Sequence, residues 1–439
     1  MAAGGRRPAV TLPAVLILVC VLVATAPGLQ MLLDEDPSMY PDSRPREFWY
    51  RRGEVVVIDL GNTNSCVAGY TGSGKTTDDD TMFQFCIPSW VAFTDNGTSL
   101  VGEAAKNHAA ANPEATIFGF KRLLGLRRNR WYDEDIVQGA IQRVPYKIGT
   151  RDYDTAIVQV TASDGSVKQL EFSEVASMVV AELKNKAEEY LGRTVEYAVM
   201  TIPQHFAVAH SGAAEYAGKM AGLDVVWTVT EPTAAAVAHG LHTKLRERGT
   251  ALVLRVGGGS SDASLVVLLD GRFQVFGYRM DNFLGGDDFD DRVVDYFAKR
   301  IKLKHGVDIS QDRIGLGKLR AACENAKKAL SSQDHVQVIV ESLVDGVDFS
   351  EPLSRSEFEE LNDDLFRKVM NLVETAMVNR GGIKWSKSKI GEIVMVGGSA
   401  VIPRIQNLIR DYFDGREPNI RRKPDEAMAL GAALYVHSL

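Results

Sequence analysis

Two stretches decide the fold: VVVIDLGNTNSCVAGY at residues 55–70 and ALVLRVGGGSSDASLVVLL at residues 251–269. In each, an apolar strand runs into a turn rich in glycine or asparagine and a second apolar strand follows, which predicts a β-hairpin. Asp59 and Arg255 stand at matching places, and the offset from residue 59 to residue 255 is 196 residues. A hairpin that recurs at the start of each half indicates a duplicated α/β protein with two lobes.

Capping residues predict where several helices begin and end. Ser173 is expected to cap a helix that runs to Leu191. Glu231-Pro232 predicts the start of an alanine-rich helix, because the N–H that proline lacks would be unbonded at the first helical position. Ser354 and Glu357 form a capping box that predicts a long helix after them.

The composition is that of an ordinary globular protein. The 439 residues leave room for two or three domains, and 45% hydrophobic with 24% charged residues excludes a mainly disordered or fibrous chain. The net charge of −7 argues against nucleic acid as a partner, since binding phosphate backbones needs a basic surface.

The first 26 residues have the features of a secretory signal peptide. Arg6 and Arg7 precede the apolar run Val15–Ala24, and Ala24-Thr25-Ala26 fits a cleavage site. The run is short for a membrane span, although an uncleaved anchor stays open as an alternative. Residues 27–53 hold the acidic run Asp34-Glu35-Asp36 and the prolines Pro37, Pro41 and Pro45, so we expect an unstructured lead-in there.

Cysteines and one sequon give weaker signals. After signal cleavage Cys66, Cys86 and Cys323 would remain, and we expect three separate buried thiols that form neither a disulfide framework nor a metal site. Asn96-Gly97-Thr98 is either a glycosylation sequon or the turn between two short strands. We favour the turn and leave glycan occupancy open.

Residues 69–76, GYTGSGKT, satisfy the P-loop pattern. That motif holds phosphate only where a helix begins at its Lys-Thr pair. Three aspartates, Asp78–Asp80, follow instead and would repel a phosphate, so a polar hairpin loop is predicted.

A second set of residues is better suited to phosphate. Glycine lets backbone N–H groups approach phosphate oxygens, so the two hairpin turns and Gly397-Gly398-Ser399 could converge on one phosphate chain. Asp59, at a strand end, could hold a hydrated Mg²⁺.

With the two hairpins, several further segments make the sequence resemble a known family. These segments are Pro88–Thr94, Gly102–Asn107, Lys121–Leu123, Glu231–Ala236, Leu284–Asp290, Leu330–Gln333, Asp345–Ser350 and Pro424–Ala427. From Glu54 to His437 the chain resembles the nucleotide-binding domain of the seventy-kilodalton heat-shock chaperones, above all its endoplasmic-reticulum luminal members. The same segments, running through both lobes, argue against another actin-like enzyme such as a sugar kinase.

This resemblance implies an α/β, actin-like ATPase fold with duplicated ribonuclease-H-like lobes and four subdomains. ATP or ADP and Mg²⁺ would lie in the cleft between lobe I, residues 54–245, and lobe II, residues 246–439. Its implied catalytic residues are Lys121, Glu231 and the metal-proximal Asp59. Its implied nucleotide contacts are Gly61, Asn62, Thr63, Gly257, Gly258, Gly259, Ser260, Gly286, Glu324, Lys327, Lys328, Ser331, Gly398, Ser399 and Asp425.

The sequence departs from the family at several of these places. Arg255 stands where the family has an aspartate, so a cation replaces an anion of the Mg²⁺ shell. Asn62 replaces a threonine of the first turn, and Val401 and Lys328 replace arginines that stack on adenine. ATP hydrolysis is therefore expected to be weakened, and metal binding is doubtful.

Two functions stay open. One is an ATPase chaperone serving protein folding and stress response in the endoplasmic reticulum, and the other is a degenerate nucleotide-binding module that binds co-chaperones without turnover. Expected partners are J-domain proteins and nucleotide exchange factors, not nucleic acid, nor a membrane after signal cleavage. Because the sequence ends at Leu439, we expect neither a peptide-binding domain nor a retrieval signal, and poor retention in the lumen unless a partner holds the chain.

Overall fold

The computed structural model describes residues 55–72, 81–109, 111–127, 131–161, 166–205, 208–245, 248–269, 271–344, 346–378, 382, 384–421 and 423–437. The predicted signal peptide, the lead-in and the Lys-Thr pair of the P-loop pattern lie outside these residues.

The described residues contain helices and strands in alternating groups. The helices are α1 (Glu103–His108), α2 (Trp131–Ile141), α3 (Phe172–Leu191), α4 (Val208–Met220), α5 (Glu231–Ala238), α6 (Leu241–Lys244), α7 (Gly286–His305), α8 (Arg313–Ala329), α9 (Arg355–Leu361), α10 (Asp363–Ala376), α11 (Pro403–Tyr412) and α12 (Ala427–His437). The strands are β1 (Val55–Asp59), β2 (Asn64–Tyr70), β3 (Met82–Pro88), β4 (Val91–Phe93), β5 (Ser99–Val101), β6 (Thr116–Ile117), β7 (Lys147–Arg151), β8 (Thr155–Thr161), β9 (Val167–Glu171), β10 (Tyr197–Ile202), β11 (Asp224–Thr230), β12 (Arg248–Val256), β13 (Ser261–Leu269), β14 (Arg272–Asp281), β15 (His335–Val344), β16 (Val347–Ser354), β17 (Glu392–Val396) and β18 (Asn419–Ile420).

Each predicted hairpin belongs to a five-stranded sheet. The strand orders are β11-β10-β1-β2-β3 and β14-β13-β12-β17-β18. β1 pairs antiparallel with β2, and β12 with β13, while the first strand of each hairpin also pairs in parallel with a later strand, β10 or β17. Both sheets thus have the same arrangement, and the predicted duplication of an α/β unit is confirmed.

An apolar cluster joins the two sheets. It contains Val57 of β1, Val253 of β12 and the alanines of α5 and α12. A Cβ on Gly431 of α12 would lie 1.8 Å from the carbonyl oxygen of Ala234 of α5, so a glycine is needed where these helices touch. Since β1 and β12 share this cluster, the two hairpins lie close together.

The helix boundaries correct two predictions. The cap of α3 is Glu171, which forms a capping box with Glu174, and Ser173 lies inside the helix with its hydroxyl 3.3 Å from the Glu171 carboxylate. The capping box of Ser354 is confirmed, but the helix after it ends at Leu361. Asn362, which is buried and donates to the Phe358 carbonyl at 2.9 Å, separates α9 from α10.

The cysteine prediction was wrong for one pair. Cys66 of β2 lies directly opposite Cys86 of β3, and the two form a disulfide. Their separation of 20 residues concealed this, because only the strand register brings them together. Cys323 is a buried free thiol, as expected.

Both turn predictions that fall on described strands are confirmed. β4 and β5 pair antiparallel around Asn96-Gly97. β2 and β3 pair antiparallel from Tyr70 opposite Met82 onward, so the P-loop-like segment connects two strands of a hairpin.

Candidate functional site

A cavity of about 400 Å³ is lined by residues that follow strands of both five-stranded sheets. The predicted site residues that line it are Asp59, Gly61, Asn62, Thr63, Lys121, Glu231, Gly257, Gly258, Gly286, Glu324, Lys327, Lys328, Ser331, Gly398, Ser399 and Asp425. Gly259 and Ser260 are not part of the lining. The structure thus brings together residues that are up to 366 positions apart, Asp59 and Asp425.

The first hairpin turn is held by hydroxyl groups beneath it. The Gly61 N–H donates to Ser65 Oγ at 3.1 Å, and Ser89 Oγ donates to the Gly61 carbonyl at 2.8 Å. A Cβ on Gly61 would lie 1.8 Å from the Asn64 carbonyl oxygen, so the chain can turn this tightly only at glycine. Asp59, at the end of β1, is buried and accepts a hydrogen bond from Thr201 Oγ1 at 2.5 Å.

The second hairpin turn packs directly on the first. A Cβ on Gly258 would lie 1.9 Å from Thr63 Oγ1, so glycine is required where the two turns meet. The Gly286 N–H donates to the Gly257 carbonyl at 2.9 Å, and Ser399 Oγ donates to the same carbonyl at 3.1 Å. The start of α7 and the Gly398–Ser399 turn are thereby fixed beside the second hairpin.

Five charged side chains lie near the two hairpin turns, and we call them the charge cluster: Asp59, Lys121, Glu231, Arg255 and Asp262. The three carboxylates are buried, and the Lys121 and Arg255 side chains are 11% and 14% exposed. Lys121 Nζ donates to Glu231 Oε1. Arg255 Nε lies 3.1 Å from Glu231 Oε2 and donates to Asp262 Oδ2 at 2.5 Å. Each carboxylate oxygen of Glu231 is therefore paired with a cation, Oε1 with Lys121 and Oε2 with Arg255.

Burial raises the pKa values of the three carboxylates in the charge cluster, and the neighbouring cations lower them. Burial raises the pKa of Glu231, but Lys121 and Arg255 together lower it to about 2. Burial raises the pKa of Asp59 more than Lys121 lowers it. Burial also raises the pKa of Asp262, to about 6, against the opposing charge of Arg255. At neutral pH the Asp262–Arg255 pair is ionised.

A second buried ion pair lines the cavity beside the start of α7. Lys327 donates to Asp290 Oδ2 at 2.6 Å and to the Gly286 carbonyl at 2.7 Å. Burial raises the pKa of Asp290 to about 7, although Lys327 opposes the shift. Glu324 pairs with Lys328 at 2.6 Å, and Val401 also lines the cavity. Apolar and charged groups thus share a wall that could take a nucleoside.

The donor set does not fit a bound Mg²⁺. No group of three or more His, Cys, Asp or Glu side chains in the described part of the chain is placed to hold a metal ion. In the charge cluster, Glu231 and Asp262 are paired with fixed cations, which leaves Asp59 as the carboxylate without a cationic hydrogen-bond partner there. Hydrated Mg²⁺ usually needs one or two carboxylates in proteins, so Asp59 is a sparse site beside two cations.

Asp262 and Arg122 were missed from the sequence. Asp262 lies opposite Arg255 in the β12–β13 register, and its place just after the glycine turn was the available signal. Arg122 donates to the Asn282 carbonyl at 2.8 Å and to Asn62 Oδ1 at 3.1 Å, and a Cβ on Gly259 would meet its guanidinium at 1.9 Å. Gly259 therefore packs on Arg122 and not on the cavity.

Comparison with known proteins identifies relatives. The family model described as "Hsp70 protein" matches residues 55–439. The chain is 45% identical over 383 residues to "Heat shock 70 kDa protein BIP3" of Oryza sativa subsp. japonica, covering 87% of this chain and 56% of the rice protein. The chain thus spans about half the length of this curated relative. The matched family has the actin-like fold, so the fold-class prediction is confirmed.

Within the described residues, every helix is too short or too polar to cross a membrane.

Proposed function

This chain belongs to the Hsp70 family, and on that premise we propose that its cleft binds ATP or ADP for the chaperone system of the endoplasmic reticulum and hydrolyses ATP slowly. The contact between the two hairpin turns supports nucleotide binding most directly. With Thr63 against Gly258, residues of both turns and Lys121 line one cavity that a phosphate chain could fill.

Titration of the purified full chain with ADP and with ATP tests this proposal. We expect saturable binding of one nucleotide per chain by calorimetry, and weaker binding after Gly258→Val, whose Cβ would clash with Thr63 Oγ1 and push the two turns apart. Gly317→Val is the matched control, because a Cβ on this exposed helical glycine meets nothing within 4 Å. Failure of the folded chain to bind either nucleotide would contradict the proposal.

Slow hydrolysis follows from the state of Glu231. A general base works best with a pKa near the working pH. Lys121 and Arg255 instead hold the pKa of Glu231 at about 2, which makes its carboxylate a poor proton acceptor. Phosphoryl transfer depends mostly on positioned positive charge, and Arg255 directs its charge partly to Glu231 and Asp262.

Steady-state phosphate release at saturating ATP measures this second part of the proposal. We expect turnover far below that of a related Hsp70 domain assayed in parallel, and a partial gain for Arg255→Asp. The gain stays partial because Val401 and Lys328 still leave the nucleoside end without stacking arginines. Ordinary turnover in the unmodified chain would contradict the proposal that this chain hydrolyses ATP slowly. If a folded Arg255→Asp variant binds ATP and shows no gain in turnover, Arg255 is not the cause of slow hydrolysis.

The cellular part of the proposal places the chain in the secretory pathway, with residues 1–26 removed and with J-domain proteins and nucleotide exchange factors as partners. The similarity to the rice protein and the signal-like N-terminus support it. N-terminal sequencing of the protein purified from a microsomal fraction should give a start near Pro27. Full-length chain recovered only from the cytosol contradicts this placement.

A further inference from the structure

We propose that the Arg255 guanidinium is a resident counter-cation, and that this cleft binds nucleotide phosphates without a divalent metal ion. The inference rests on the proposed nucleotide binding and adds to it the ionic form of the ligand, metal-free ADP or ATP.

Two of the three carboxylates in the charge cluster are already neutralised by cations. Glu231 is paired through one oxygen with Lys121 and through the other with Arg255, and its side chain is 3% exposed. Asp262, with 5% exposure, is paired with Arg255 at 2.5 Å. Taking either carboxylate for a metal would remove one of the two partners of Arg255, which is costly in a region with little water.

The guanidinium also reaches the place where phosphate oxygens would lie. While Nε faces the two carboxylates, Nη2 donates to Ser260 Oγ at 3.2 Å. Nη1 lies 3.0 Å from the point where a Cβ on Gly257 would be, so it rests against the second glycine turn. Arg255 lines the cavity together with Gly257 and Gly258. One side chain thus connects the buried carboxylates with the phosphate turn.

Charge and shape both favour this arrangement. Of the three carboxylates in the charge cluster, Glu231 and Asp262 are already paired with Lys121 and Arg255. A divalent ion could therefore pair with Asp59 alone, and there it would lie close to two cations that repel it. The planar guanidinium, with five N–H donors, matches phosphate oxygens in a way that a point charge does not. Lys121 and Arg255 can therefore neutralise the phosphates from two sides.

Calorimetric titration of the unmodified full chain with ADP and with ATP, in Mg²⁺ and in EDTA at matched ionic strength, decides the question. We expect a dissociation constant in EDTA no more than about threefold above that in Mg²⁺, well within 1 kcal/mol. A greater weakening in EDTA overturns the inference and leaves the proposed nucleotide binding intact. Absence of binding in both buffers overturns the two together.

Two substitutions separate charge from structure. Arg255→Gln removes the cation and should make binding depend on Mg²⁺, with an affinity loss in EDTA of about tenfold or more. Arg255→Lys keeps the charge without the fork, so binding should be weaker than in the unmodified chain and still independent of Mg²⁺. Arg272→Gln, exposed at the far end of the β12–β13–β14 sheet, is the matched control and should behave as the unmodified chain.

Metal-independent binding by Arg255→Gln with unchanged affinity would show that another group neutralises the phosphates, and it overturns the role of Arg255. If Arg255→Gln does not fold, the unmodified chain and Arg255→Lys still decide, since Mg²⁺-dependent binding by either contradicts a resident cation.

Discussion

The β1–β2 and β12–β13 hairpins have the same strand-pairing pattern and opposite charges at matching positions. Each occupies the same place in its five-stranded sheet, and their glycine turns touch at Thr63 and Gly258. The first ends in Asp59, which accepts one hydrogen bond from Thr201, whereas the second carries Arg255, which bridges Glu231 and Asp262. The backbone therefore determines where phosphates could lie, and one side chain per hairpin determines the charge they meet.

The largest difference between the hairpins should appear when each charge is removed. Arg255→Met leaves Asp262 buried without a cation and should lower the free energy of unfolding by about 3–5 kcal/mol. Asp59→Asn removes a buried carboxylate whose pKa burial raises, and an amide oxygen can still accept from Thr201, so the change should stay below about 1 kcal/mol. Urea unfolding of both variants measures this. Equal losses of unfolding free energy in the two variants would show that the charged side chains of the two hairpins contribute equally to stability.

Glu231 joins the two hairpins, and its effect depends on pH. Its folded pKa of about 2 lies below the ordinary 4.5, so its stabilisation is fully present above pH 4.5 and is lost as the pH falls towards 2. Between pH 5 and pH 2.5 the unmodified chain should lose about 2–3 kcal/mol more than Glu231→Gln. Parallel acid dependence of the two proteins in urea unfolding would mean that Lys121 and Arg255 do not hold this carboxylate ionised.

The first sheet has a disulfide, Cys66–Cys86, and no disulfide occurs among the described residues of the second sheet. Closing a loop of about 20 residues should contribute on the order of 2–3 kcal/mol. Dithiothreitol should therefore lower the unfolding midpoint of the unmodified chain and leave that of the Cys66→Ala/Cys86→Ala variant unchanged. A reductant effect of the same size in the double variant would place its origin elsewhere.

The smallest expected difference concerns the matching glycines Gly61 and Gly257. An alanine at Gly61 would place Cβ 1.8 Å from a backbone oxygen, and one at Gly257 would meet its nearest atoms at 3.0 Å. Gly61→Ala should cost about 1–3 kcal/mol and Gly257→Ala less, because contacts of 3.0 Å to the Arg255 side chain and the Ser260 carbonyl oxygen are relieved by a smaller shift than a contact of 1.8 Å. Gly317→Ala, in an open helical position, should be neutral or stabilising. Thermal unfolding of the three variants ranks them, and a larger loss for Gly257→Ala would reverse the comparison.

Features that depend on a few neighbouring residues were predictable from the sequence. The two hairpins, the start of α5 at Glu231, the capping box at Ser354 and the turn at Asn96-Gly97 are all confirmed. Each follows from hydrogen bonds or apolar periodicity within one turn of the chain. Where two local candidates compete, prediction becomes uncertain: Ser173 and Glu171 are both able to cap α3, and Glu171 does so because Glu174 completes its box.

The amino-acid sequence by itself determined the duplicated α/β plan, because strand and turn patterns are local. Its resemblance to a known family, and not those patterns, indicated most of the residues that line the cavity. The tertiary structure alone decided the pairing of Cys66 with Cys86 and of Arg255 with Asp262, since both depend on strand register. It also decided that Glu231 would lie between Lys121 and Arg255. An ion pair between residues 110 positions apart forms only when packing brings them together, and the local sequence around either residue contains no sign of it.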